Sequence, residues 1–171
     1  MQMSEMVESV LTVVVSLVGS WLVARWTLRA QRATNAHAAA VDRLLPSLAR
    51  LRALLHESSV RSWDSEDVAA AVNEFESLCM QHASTLPPGI RSVRFDVRAA
   101  VGNYFGGVSL ASLDASMADF PLAEPHPYWR AISVSYLEYA MTRLQQSLVQ
   151  PRAAPMVHFS DWRRDEDALH R

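Results

Sequence analysis

The chain has 171 residues, half of them hydrophobic, with 16 basic and 18 acidic side chains and a net charge of −2. That length suits one modest domain, and the near-balanced charge gives no sign of a nucleic-acid partner. Every basic residue is arginine, which excludes a P-loop lysine, a Schiff-base lysine and a pyridoxal anchor. The single cysteine, Cys79, excludes an intrachain disulfide and suits a reducing compartment.

The first element is the run from Met6 to Trp26. Its sixteen residues from Ser9 to Ala24 carry no charge, which is about 24 Å of helix. Met6, Val7 and Trp26 extend it to roughly the 30 Å of a bilayer core. Nine strongly apolar side chains favour insertion by about 3–5 kcal/mol together. Ser9, Thr12, Ser16, Gly19 and Ser20 reduce that gain, and Glu8 lies near the end, where a charge reaches the headgroups. A cleaved signal peptide would open on positive charge, whereas Glu5 and Glu8 precede this run. A helix buried in a protein core would not gather Trp21 and Trp26 at one end, as an interfacial belt does. The run is predicted to be a single transmembrane helix, with residues 1–26 as the anchor.

The flanks orient it. Arg25, Arg29 and Arg32 follow the apolar run, so the positive-inside rule places that side in the cytoplasm. The expected location is the inner cell membrane, single-pass, with a short N-terminus outside. The same three arginines are candidates for anionic lipid headgroups. Thr12, Ser16 and Ser20 recur every four residues and Gly19 sits beside them. This ridge of small side chains is a candidate face for association with a second copy or with a partner's membrane helix.

The helix is expected to continue as a stalk over residues 27–45, rich in Ala, Leu and Arg. Pro46 should kink or restart it. Leu44, Leu48, Leu51 and Leu55 then share one face. Ser62, Asp64 and Ser65 are candidate caps for a second helix over about 65–85. Its seam is Val68, Val72, Phe75, Cys79, His82 and Leu86.

A third helix is expected from Ile90 to Phe105, with Ile90, Val93, Val97, Val101 and Tyr104 or Phe105 inward. Arg91, Arg94 and Arg98 form a basic stripe opposite. A short helix over Leu110–Phe120, a proline-rich loop to Pro127 and a long helix over Tyr128–Gln150 follow. Residues 151–171 read as a loosely ordered polar tail, in which Ser160 could cap a short helix with Trp162 and Leu169. The fold class is all-α: anchor, stalk, and a cytoplasmic bundle of about four helices over 46–150. Residues 25–61 carry seven Arg against two acids, and 62–127 three Arg against nine acids. That segregation suits a hairpin of neighbouring helices, although exposed pairs contribute little each.

No catalytic motif emerges. Cys79 and His82 lie one helical turn apart, as two zinc ligands can, but both fall on the apolar seam and nothing completes a ligand set. Glu74 and Glu76 diverge on a helix. Glu138 reads as a solvated edge residue. Gly102 to Gly107 lacks the strand and lysine of a phosphate loop and reads as a helix stop. His126 and Trp129 suit a helix start. No cofactor is implied. The expected function is a membrane-tethered interaction or scaffold module holding a protein partner or copies of itself. The alternatives are a small membrane-acting effector of the lysis, toxin or defence kind, and an enzyme or ligand-binding module.

Overall fold

Good helix formers and a three-four spacing of apolar residues leave little room for any other backbone state. The computed structural model accordingly is helical throughout its regular elements. It describes residues 2–57, 65–105, 127–150 and 154–169, with side chains for 16–56, 67–105, 127–150 and 154–165. The elements are α1 (Gln2–Glu57), α2 (Ser65–Gln81), a 3₁₀ turn (Pro88–Ile90), α3 (Val93–Tyr104), α4 (Pro127–Val149) and α5 (Phe159–Leu169). The expected helix over 110–120 and the caps at Ser62 and Asp64 lie outside the described residues. The chain divides into two compact units, residues 1–37 and 38–171.

In the first unit every described side chain from Ser16 to Ala36 is exposed. Among the described residues no helix is long and apolar enough to cross a membrane. The spanning helix expected over 1–26 is therefore not shown. The described side chains of that run begin at Ser16, and from there to Trp26 is only about 16 Å of helix. The preceding apolar residues, Thr12 among them, have side chains outside the described set.

The second unit is a helical bundle. Ala40, Val41, Leu44, Leu48 and Leu51 of α1 are fully buried and Leu55 nearly so. Ala40, Val41 and Leu44 thus belong to the core, within the stretch expected to be stalk. Nor does Pro46 interrupt α1, which runs through it. Pro46 and Asp42 are both exposed, so the carbonyl that the proline leaves without a donor faces water. The buried leucines on the other face hold the helix in place.

Val68, Val72, Phe75 and Cys79 of α2 are buried in the same core, and α3 adds Val93, Val97, Val101 and Tyr104. From α4 come Ile132, Tyr136, Leu137, Ala140 and Leu144. The inward residues read from the sequence of α3 are all buried. Among the described residues three ion pairs stitch neighbouring helices: Arg50–Glu74 at 2.9 Å, Arg52–Glu138 at 2.5 Å and Arg98–Glu76 at 2.8 Å. The first joins α1 to α2, as the charge segregation suggested. Both its side chains are half exposed, so apolar burial carries most of the stability.

The described part of the tail, residues 154–169, is not loose. Met156 and Phe159 are buried in the core and Trp162 packs against it. The tail's charges hid its spaced apolar residues, which α5 turns inward.

Phe75 is completely buried within the core of the bundle. Phe75→Ala should lower unfolding free energy by about 3–5 kcal/mol in urea titration. A change within about 0.5 kcal/mol would contradict this core.

Candidate functional site

Two arrangements stand out, one in each unit. In the first unit, the helix turns large apolar side chains outward over roughly two thirds of its circumference, and the small side chains of the ridge occupy the rest. Leu17 is 64% exposed, Val23 67% and Trp26 74%, and Val18, Trp21 and Leu22 are also exposed. Of the ridge residues, Ser16 and Ser20 are exposed and a Cβ on Gly19 would meet nothing within 4 Å. Farther along, the Thr27 and Thr34 hydroxyls donate to Val23 O at 2.9 Å and Ala30 O at 3.0 Å of their own helix. Arg25, Arg29 and Arg32 are all exposed, and Arg25 lies over the Trp21 ring at 5.1 Å.

In the second unit, a polar network fastens the chain end to α3 and α4. Asp96 falls on the apolar face of α3 between Val93 and Val97 and is buried. Its Oδ1 accepts the Phe159 N–H at 3.1 Å, so a side chain of α3 satisfies an orphan donor at the start of α5. His158 Nδ1 stands 3.2 and 3.3 Å from the two carboxyl oxygens. One turn and more along, buried Asn103 donates to Trp129 O and Ser133 Oγ and accepts from Arg163. Tyr136 donates to Val157 O at 2.7 Å, while Val157 N–H donates to the Tyr139 hydroxyl at 2.9 Å. Trp162 stacks on Tyr139 with 4.6 Å between ring centroids.

Gly89 completes the seat. Its carbonyl accepts the Met156 N–H at 2.8 Å, and a Cβ at Gly89 would come within 3.0 Å of Pro155 Cα. A side chain there would push the segment away.

The network reads as structural fastening. The carboxylate and amide of α3 are engaged with the chain end, and the imidazole of His158 is engaged with the carboxylate. Among the described residues no group of three or more His, Cys, Asp and Glu is placed to hold a metal ion. Cys79 is a packed thiol: burial pushes it up to about 12 from its ordinary 9.0, more than nearby Arg94 draws it down. Glu138 is spent on Arg52. The arginine stripe of α3 is likewise divided, with Arg98 on Glu76, Arg91 donating to Leu86 O and Arg94 over the Phe95 ring. An open hollow of about 260 Å³ lies over Ala49, Arg52, Ala53 and His56 of α1. A smaller one of about 20 Å³ between Gly89 and Ser147 has room for one water. His126 and Gly106–Gly107 lie outside the described residues. Asp96, Asn103 and His158 were not singled out from sequence; the available signal was a carboxylate and an amide on an otherwise apolar helix face.

Compared with protein-family models, curated proteins and solved structures, the chain matches none of them.

Asp96→Ala removes charge-assisted bonds to a buried partner and should cost about 1.5–3 kcal/mol. Limited proteolysis should then cut between Ala154 and His158 where the parent resists; an unchanged digestion pattern would show that the network does not hold the tail. The neutral Cys79 thiol contributes fully below pH 9.0, and that contribution is lost as the pH climbs toward 12. Burial also raises the Tyr136 hydroxyl, which loses stability in the same alkaline direction. Iodoacetamide at pH 8 should label Cys79 only as fast as the bundle opens, accelerating with added urea. Rapid labelling of the native protein would contradict the burial.

Proposed function

We propose that the chain is a membrane-tethered helical module. Residues 1–26 form the anchor, and the bundle that follows lies in the cytoplasm, where it holds a protein partner or a further copy of the chain. The observation that carries this reading is the exposure of Leu17, Val18, Trp21, Leu22, Val23 and Trp26 on one continuous stretch of α1. So wide an apolar surface on one helix suits lipid far better than water. The uncharged run from Ser9, the tryptophans at its end and the arginines beyond it supply the order expected of an inserted helix: apolar span, aromatic belt, cytoplasmic cations.

The ridge of Thr12, Ser16, Gly19 and Ser20 is the proposed face for helix association. Its expected strength is modest, because interhelical polar contacts average about 0.6 kcal/mol each. The packed bundle supports the choice of an interaction module over a membrane-active peptide, since it forms a complete core of its own.

Insertion is favoured by only about 3–5 kcal/mol, and each Arg at the centre of a span costs about 2.5–3.5 kcal/mol. The double substitution Leu17→Arg/Val18→Arg should therefore abolish it. Full-length protein should sediment with membranes and resist extraction at alkaline pH, while the double variant appears in the supernatant with unchanged urea stability of its bundle. Recovery of the parent in the supernatant would defeat the proposal.

A further inference from the structure

Arg25, Arg29 and Arg32 differ from Arg50, Arg52, Arg98, Arg143 and Arg163 of the bundle in what they face. There, Arg50, Arg52 and Arg98 have carboxylate partners, and Arg143 and Arg163 donate to Gln146 and Asn103. The three in the first unit have no acidic residue within reach along their helix, because none occurs between Glu8 and Asp42. All three are exposed. At 100° per residue, Trp21, Arg25, Arg29 and Arg32 fall within an arc of about 80°. The helix thus presents one narrow stripe with a ring at its apolar end and three guanidinium groups beyond it. Arg25 already lies over the Trp21 ring, which fixes the first guanidinium at the edge of the apolar run.

We infer that this stripe is a binding site for anionic phospholipid headgroups, an inference that rests on the anchor reading and adds a ligand class to it. Three features of the stripe fit that ligand. Guanidinium groups pair with phosphate oxygens in forked geometry, which makes arginine a better phosphate ligand than a point charge. Side chains on an α-helix lean toward its N-terminus, so Arg29 and Arg32 reach back toward the apolar run, and toward the headgroup layer if that run is in lipid. Trp21 and Trp26, 57% and 74% exposed, place amphipathic rings at the same level. The charge is complementary as well, since the stripe carries three positive charges with no internal anion to neutralise them.

Juxtamembrane arginines are drawn to an anionic surface, so the three should enrich anionic lipid around the helix several-fold or more. The test uses the full chain reconstituted in mixed phosphatidylcholine and phosphatidylglycerol vesicles, with bromine on the acyl chains of one lipid or the other. Tryptophan emission should be quenched several-fold more by brominated phosphatidylglycerol at equal bromine content. The excess should vanish in R25Q/R29Q/R32Q, survive in R25K/R29K/R32K and shrink in 0.5 M salt, on the order expected from screening. Equal quenching by the two lipids, or an excess that persists in the glutamine variant, overturns the lipid site while leaving the anchor standing. If the parent chain is not recovered with vesicles of either composition, anchor and lipid site fall together. The glutamine variant should keep its bundle's urea midpoint, because none of the three arginines belongs to that unit.

Discussion

An apolar helix face has to be covered, and α1 meets that constraint in two different ways along its length. Between residues 40 and 55, Ala40, Val41, Leu44, Leu48, Leu51 and Leu55 are buried in a core to which α2, α3, α4 and the chain end also contribute. From Ser16 to Leu28 it carries residues at least as apolar, and no described part of the protein covers them. Exposing six such side chains to water costs on the order of 1.5–3 kcal/mol each relative to burial. A single stable domain rarely carries that burden without a second surface to relieve it. The proposed bilayer supplies that surface, and the proposed lipid site is its polar border.

Within the bundle, the apolar seams decide that helices form and polar contacts decide how the last one docks. Asp96 is the pivot. It is a carboxylate on an apolar face, tolerated because the start of α5 brings a backbone donor and an imidazole to it. Asn103 plays the same part farther along, reaching α4 and α5 together. Tyr136 and Tyr139 of α4 grip both backbone groups of Val157. An all-apolar contact would permit sliding, whereas these directional bonds hold α5 to one register.

How much of this was legible depended on whether the deciding interaction was local. The seam Val68–Val72–Phe75–Cys79 and the inward face Val93–Val97–Val101 followed from spacing alone, because helix periodicity is a property of neighbouring residues. That Pro46 does not restart α1 depends on which way the proline faces, and that is set by the burial of Leu44 and Leu48 on the other face. The tail was misjudged for a similar reason. PRAAPMVHFSDWRRDEDALHR is polar on average, yet Met156, Phe159 and Trp162 recur at steps of three, and only the groove between α3 and α4 makes that spacing matter. Asp96 and Asn103 could be read as exposed until their partners, about sixty residues later, were in place. For the candidate site the arginines and the ridge were legible as a pattern; the contrast with the paired arginines of the bundle required side-chain geometry.

The central claim is that the first unit lies in lipid with its border near Trp21 to Arg32. Buried Cys79 leaves an introduced cysteine as the reactive one, so spin labels can be placed at Leu17→Cys and, separately, at Arg32→Cys in the full chain in vesicles. The label at 17 should collide readily with dissolved oxygen and hardly at all with a water-soluble nickel chelate, and the label at 32 should show the reverse. Equal and high accessibility to nickel at both positions would contradict the account.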